Sequence, residues 1–334
     1  MRADEAAKNA LLEVLEATSG ERILIIADEE KADIAEVFSR AAISIGMWTR
    51  LLVLKEPESP RKSVPDFLRE IIISNRPTID VFVNVLRGII EEVPFRIELI
   101  ELERRGNTRL AHCPGITMNM LTEGAMALTR EEYREMKTLA HKLILLLEDA
   151  AEIRVTNSSG TDISFSVMGR PFFTDVEISK RFMNWVNLPV GEVLVAPVEN
   201  SMNGCIVADA AGGIGPLKDP AKLTVKDGKV ISVECADPDA SKRISNALNI
   251  DATANVTGEF AIGLNKRARI VKEFLETEKV HGTVHIAFGN NEDFPGGRNR
   301  SKGHIDFLIT EPTVVVRYKD GHETEIMKNG SLLL

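Results

Sequence analysis

The sequence predicts an α/β protein: an N-terminal parallel-sheet α/β domain followed by an α+β, strand-rich domain that carries a metal site. Three observations lead there. Short, nearly continuous apolar runs alternate with helical stretches over the first third of the chain. After residue 150 the pattern changes to strands joined by hairpin-type turns. Within that second half, four strand-like strings each set a Glu, His or Asp among apolar neighbours.

The first domain is placed at residues 1–125. Residues 3–18 read as a helix closed by Ser19-Gly20. Arg22 to Ala27 (RILIIA) is apolar almost throughout, as in a strand covered on both faces. Then come a helical stretch at Lys31–Gly46, a strand at Thr49–Leu54 and a polar, proline-containing loop at 57–65. Helices at Asp66–Asn75 and Phe95–Arg105 alternate with strands at Thr78–Val85 and Thr108–Cys113. Alternating strands and helices with short links indicate a parallel sheet. Residues 126–150 form a connecting helix: Thr129 is its N-cap, and Leu139, Leu143, Leu146 and Leu147 recur at helical spacing.

Residues 151–334 form the second domain. Strands at Ala151–Asn157 and Asp162–Val167 flank Ser158-Ser-Gly-Thr, a hairpin signal. Further strands are expected at 191–198, 204–209, 223–225, 230–234, 283–288, 304–310 and 313–318. Lys226-Asp-Gly-Lys and Lys319-Asp-Gly-His are turns built around Asp-Gly. Helices are expected at Asp239–Leu248 and Lys266–Glu273. Ala210-Ala-Gly-Gly-Ile-Gly-Pro lacks the Lys-Ser or Lys-Thr of a phosphate loop and reads as a turn.

Composition narrows the function classes. A net charge of −9 argues against a general affinity for nucleic acid or for an anionic membrane, both of which need a basic surface. The 3 cysteines are far apart and form no C-x-x-C pair, which fits a reducing cytoplasm better than a disulfide framework. The N-terminus reads as a charged amphipathic helix, and no apolar run approaches the roughly 20 residues of a membrane span. The first strand is followed by no G-x-G-x-x-G, so dinucleotide binding is not expected there, and no G-x-S-x-G nucleophile elbow occurs.

The four strings are Asn187-Leu-Pro-Val-Gly-Glu192-Val, Thr257-Gly-Glu259-Phe-Ala-Ile-Gly-Leu-Asn265, Gly282-Thr-Val-His285-Ile-Ala-Phe-Gly289 and Gly303-His304-Ile-Asp306-Phe. An ionised carboxylate among apolar residues is strongly disfavoured unless it is paired or bound to metal. In His304-Ile-Asp306 the i, i+2 spacing puts both side chains on one face of a strand. Oxygen and nitrogen donors of this kind suit zinc, manganese, cobalt or iron(II). His281 stands four residues before His285, but Gly282 between them argues against a helix, and a surface or neighbouring role is read for it.

These strings and their order resemble the thermophilic aminopeptidase family, which includes aminopeptidase T, aminopeptidase S and PepS. The resemblance is best over residues 150–310. It is carried by Leu188-Pro-x-Gly-Glu192-Val, Gly258-Glu259-Phe-x-x-Gly-x-Asn265, His285-Ile-Ala-x-Gly289 and His304-x-Asp306. It implies metal-ligand roles for Glu192, Glu259, His285, His304 and Asp306, and two divalent metals per chain, zinc, cobalt or manganese. It further implies a reaction that removes N-terminal amino acids from small peptides through a metal-activated water, and a homodimer. Glu259 is the expected catalytic proton acceptor. The family's catalytic tyrosine, seven residues after the third-string histidine, corresponds by count to Glu292; the only tyrosines are Tyr133 and Tyr318. Two other functions use the same residues. One is a mononuclear iron(II) ring-opening dioxygenase of the same superfamily, with His285, His304 and Asp306 as its triad. The other is a metal-binding homologue with altered catalysis.

Overall fold

The computed structural model describes residues 1–75, 78–178 and 184–334. In chain order the elements are α1 (Ala3–Glu13), β1 (Arg22–Asp28), α2 (Ala32–Ile45), β2 (Trp48–Leu54), α3 (Asp66–Asn75), β3 (Val81–Val85), α4 (Val93–Glu103), β4 (Arg109–His112), α5 (Met118–Thr122) and α6 (Arg130–Leu147). Then follow β5 (Ala150–Thr156), β6 (Asp162–Ser166), β7 (Phe173–Thr174), β8 (Trp185–Asn187), β9 (Glu192–Val195), β10 (Asn203–Ala211), β11 (Gly215–Lys226) and β12 (Lys229–Glu234). The chain continues with α7 (Pro238–Leu248), β13 (Thr257–Gly263), α8 (Phe274–Thr277), β14 (Val284–Gly289), β15 (His304–Ile309), β16 (Thr313–Tyr318), β17 (Glu323–Lys328) and β18 (Ser331–Leu332).

The chain divides into two compact units. The first is Met1–Lys137 with Asp175–Val190, and the second is Thr138–Thr174 with Gly191–Leu334. The expected division at 125 and 150 therefore differs from the observed one. Residues 175–190 return to the first unit because β8 adds in parallel to the edge of its sheet, pairing Ala111 with Val186. A strand of 3 residues has too short a pattern to be read from sequence.

The first unit holds a five-stranded parallel sheet in the order β2-β1-β3-β4-β8. β1 is buried at six of seven positions, which explains its continuous apolar run: helices cover both faces, so alternation is lost. Leu24, Ile26, Phe82 and Leu110 from the strands form one core with Leu68, Ile72, Phe95 and Leu99 from α3 and α4. Each fully buried side chain of this size contributes about 1.5–3 kcal/mol. The expected helix at 3–18 ends at Glu13, and the connecting helix expected at 126–150 runs from Arg130 to Leu147. Thr129 caps α6 as expected: its Oγ1 accepts from Glu132 N at 3.1 Å, and its own N–H donates to the Glu132 carboxylate at 2.7 Å.

The second unit is built on a 13-stranded sheet whose central path runs β18-β17-β16-β5-β6-β10-β15-β14-β13-β9-β7, with β11 and β12 branching from β10. Every pairing within it is antiparallel. Ala210 to Pro216 makes the tight turn between β10 and β11, as its lack of a phosphate-loop signature implied. The helix expected at Lys266–Glu273 is absent. The Asn265 side chain accepts from Arg267 N at 2.9 Å and Ala268 N at 3.2 Å, which closes a turn. Thr277 Oγ1 then bonds both Val271 N and Val271 O, holding the segment out of a helix until α8. The 3 cysteines are free thiols.

Candidate metal centre

The four strings become four neighbouring strands, β9, β13, β14 and β15, adjacent in the order β15-β14-β13-β9. Directly paired residues lie on the same face of a sheet, and so do residues i and i+2 along a strand. Glu259 pairs with Ala287, and Ala287 with Asp306. His285 pairs with Ala261, His304 with Gly289, and Glu192 with Gly263. All five side chains therefore rise from one face, where Ala261, Gly263, Ala287 and Gly289 pair directly with them and Leu308 lies beside His285. Phe260, Ile286, Phe288, Ile305 and Phe307 alternate to the opposite face, where Phe288 packs on Phe307 at 6.1 Å and Phe260 on Phe165 at 5.1 Å.

Two motif glycines bring backbone close at the rim. A Cβ on Gly263 would lie 2.1 Å from the Val280 carbonyl oxygen, so only glycine lets the 279–280 segment approach β13. Gly289 has φ +114°, and a Cβ there would lie 2.1 Å from the Gly303 oxygen, beside the start of β15.

Glu259 stands at the middle of the group. Its Oε1 is 3.3 Å from His285 Nε2 and its Oε2 is 3.2 Å from His304 Nε2. Glu192 Oε2 is 3.6 Å from His285 Nε2, and Asp306 Oδ1 is 3.2 Å from His304 Nε2. His304 Nδ1 lies 2.8 Å from the Asn290 carbonyl, which can only accept, so Nδ1 carries the proton and Nε2 faces the carboxylates. Metal-binding histidines are held in this way, with the second ring nitrogen donated to a carbonyl or carboxylate. His285 Nδ1 is buried and has no hydrogen-bond partner among the described residues.

Two residues that the sequence reading missed complete the cluster. Lys279 is buried, and its ammonium binds Glu192 Oε1 and, at 2.9 Å, Glu278 Oε1. Glu278-Lys279 follows α8 in a charged stretch, Glu276-Thr-Glu-Lys, which reads in sequence as a solvated turn. Only the close approach at Gly263, with Asn265 N donating to the Lys279 carbonyl at 2.9 Å, turns it inward. Glu292 is exposed, and its carboxylate lies 3.6 Å from Arg300. His281 belongs to none of the ligand groups found among the described residues.

Burial shapes the electrostatics of every group here. It pushes the Glu259 carboxyl upward, but hydrogen bonds and charge from His285 and His304 outweigh it and hold the group below the usual carboxylate range. Burial pushes His285 down, yet Glu259, Glu192 and Glu278 raise it to about 9. His304 is held well above its ordinary value, with Asp306 and Glu259 overcoming burial. Burial, reinforced by Asp306, raises Glu278, and Lys279 opposes that shift.

Three ligand groups have donor atoms within 4.8 Å of one another: Glu192, Glu259 and His285; Glu259, His304 and Asp306; Glu278, His285 and Asp306. Four carboxylates face one ammonium in this cluster. With neutral imidazoles, negative charge is left in excess, which is what a site for divalent cations needs. The donor set thus fits a metal.

Comparison with known proteins agrees in family and fold. The thermophilic metalloprotease (M29) family model matches residues 127–332. Among solved structures, the chain is similar to wild-type AmpT from Thermus thermophilus, with a TM-score of 0.77 at 18% identity over 100% of this chain and 99% of that one. It is also similar to 2,5-dihydroxypyridine dioxygenase from Pseudomonas putida KT2440, with a TM-score of 0.68 at 14% identity over 99% and 96% of the two chains. At these identities the two structures speak for the fold alone. A search of curated protein sequences finds no match. No helix among the described residues is long and apolar enough to cross a membrane. The family match spans well over half of the chain, which therefore belongs to the thermophilic metalloprotease family.

Proposed function

Proceeding from that membership, we propose that the chain is a metal-dependent aminopeptidase-type hydrolase that releases N-terminal residues from small peptides. Glu192, Glu259, His285, His304 and Asp306 would hold two divalent cations, zinc, cobalt or manganese. The observation that carries this reading is the position of Glu259. It gives one oxygen to each imidazole and belongs to two of the ligand groups, so it joins the two halves of the donor set. Divalent cations held by these residues would supply polarisation of a carbonyl and a lowered pKa for a bound water.

The chain's own groups divide the remaining work. Glu259 belongs to two of the ligand groups and would be committed to metal in this reading, so we assign the proton-accepting role expected of it to Glu278. Burial, with Asp306 beside it, raises the Glu278 carboxyl toward the working range of a general base. Lys279 fixes the orientation of Glu278 and Glu192 together. The Asn290 carbonyl fixes the His304 ring.

A ring-opening iron(II) dioxygenase would need His285, His304 and Asp306 on one metal. Each of the three ligand groups instead combines one imidazole with two carboxylates, which supports the two-cation reading. The test is elemental analysis of purified protein, followed by an assay of free amino acid released from short peptides with zinc, cobalt or manganese. Two equivalents of metal and release of the leading residue are expected. One iron per chain, with oxygen uptake on dihydroxylated aromatics and no peptide cleaved, would sink the proposal.

A further inference from the structure

Counting from His285 leads to Glu292, but the aromatic ring that reaches the metal centre is two residues further on. Phe294 packs edge-on against the His304 ring, with centroids 6.2 Å apart and planes at 80°. On its other side it meets Phe173 of β7 at 5.6 Å and 60°. The ring is only partly buried, and the His304 side chain beside it is 30% accessible, so the two rings flank the open side of the centre.

The loop that carries Phe294 is held firmly. Phe294 N donates to Asn291 O at 3.0 Å, and Phe294 O accepts from Gly297 N at 2.9 Å. Asn291 is buried: its Oδ1 accepts from Asn299 N at 2.7 Å, and its Nδ2 donates to Gly258 O at 3.1 Å, one residue before Glu259. Asn299 Nδ2 donates to Gly289 O at 2.7 Å. The buried asparagines thus tie the loop to β13 and β14, the strands of Glu259 and His285. An aromatic fixed by such a scaffold presents a preset surface and loses little freedom when a ligand arrives.

We propose that Phe294 is a specificity-determining residue: the apolar wall of the metal centre, which selects substrates with an apolar side chain on the residue being released. This rests on the hydrolase reading above. The accessible groups of the centre itself, His304 and Asp306, are polar, so the Phe294 ring packed against His304 offers an apolar surface on which an aliphatic or aromatic group would lose water contact. Phe294 bears no ionisable group, so its part is selection and not proton transfer.

The experiment measures binding of leucine hydroxamate and glycine hydroxamate to the zinc-loaded protein by calorimetry. Hydroxamates chelate the metal whether or not a peptide is cut, so this readout is separate from the peptide assay that tests the hydrolase reading. The wild-type protein should bind the leucine compound at least about 10-fold tighter, the scale on which apolar pockets discriminate added methylenes. In Phe294→Ala the ratio should fall to within about 3-fold, and in Phe294→Leu most of it should return. Glu292→Ala should leave the ratio as it is. Thermal unfolding confirms that each variant is folded. The proposal is overturned if the wild-type ratio is near one, if neither compound binds, if Phe294→Ala weakens both equally, or if Glu292→Ala removes the preference.

Discussion

Two buried charge clusters can be compared, one in each unit. In the first unit, Asp28 at the end of β1 meets Arg61 at 2.5 Å and accepts from Arg87 N at 2.9 Å, while Glu92 binds Arg87 at 2.7 Å and Arg61 N at 2.8 Å. Among these four side chains, each at least 89% buried, two acids offset two guanidiniums, with Glu56 adding a carboxylate 3.8 Å from Arg87 and Arg96 a further positive charge near both acids. In the second unit, Glu192, Glu259, Glu278 and Asp306 face Lys279 alone, and the two histidines are driven toward the cationic form to make up the deficit. Both clusters look alike as lists of buried charged residues. The charge balance separates them: a balanced network is finished as it stands, whereas one short of positive charge is built for a cation.

The comparison can be broken first at the centre of each cluster. Glu259→Gln should lose metal and, with it, several kcal/mol of transition-state stabilisation, on the order of 10³-fold or more in turnover. Metal content and amino-acid release check both. In the metal-free protein the same variant should cost less stability than Glu92→Gln, because His285 and His304 can release their protons once the carboxylate between them is lost, whereas buried guanidiniums cannot. Glu92→Gln should do the reverse. It leaves two buried guanidiniums short of a partner, at a cost of about 3–5 kcal/mol in denaturant unfolding, with metal content unchanged. If Glu259→Gln destabilised the metal-free protein as much as Glu92→Gln does, charge balance would not be what distinguishes the clusters.

What could be read in the sequence follows from the same contrast. Glu192, Glu259, His285, His304 and Asp306 stand out because each interrupts an apolar strand, where a polar residue needs a reason to be. The regular spacing of Glu259, Ala261 and Gly263, and of His285, Ala287 and Gly289, even encodes the small residues that stand beside these side chains. Glu278 and Lys279 lie in a charged stretch that a solvated turn would share. Only a tertiary approach, the Val280 backbone against Gly263, makes them part of the site. Phe294 escaped for a related reason: counting residues along a loop does not show which side chain the loop turns inward. The parallel sheet was legible from its apolar runs, but not the return of β8, whose 3 residues carry no period.

The raised imidazoles give the next effect. Metal needs neutral nitrogen, so binding must displace protons. At pH 7.5 His285, raised to about 9, holds its proton in the metal-free protein and should release it when zinc binds. Calorimetry in buffers of different ionisation enthalpy should therefore give different apparent heats, and affinity should rise by up to about tenfold per pH unit per proton displaced until about pH 9. In the metal-free protein the sign is opposite. Because the folded value is raised, the stability from His285 is fully present below its unfolded value near 6.5 and is lost as pH rises through about 9. Apparent heats that do not change with the buffer would mean that His285 is already neutral before metal arrives.

His112 in the first unit is the counterpart imidazole, and its smaller effect runs the other way. It is buried on β4, and desolvation, with the Arg96 charge adding to it, lowers it to about 3. No carboxylate raises it, in contrast to His285. The folded protein therefore keeps His112 neutral, while the unfolded chain protonates it below about 6.5. Stability from this group is present above pH 6.5 and is lost as pH falls toward 3, at up to about 1.4 kcal/mol per pH unit. Replacing His112 with Asn should flatten that part of the acid limb whatever it does to the stability at pH 7, because Asn has no proton to gain. Urea unfolding of both proteins at pH 7, 6, 5 and 4, in the presence of chelator, gives the two slopes. If the wild-type and His112→Asn slopes were the same, the acid sensitivity would lie elsewhere, in the carboxylates of the metal centre.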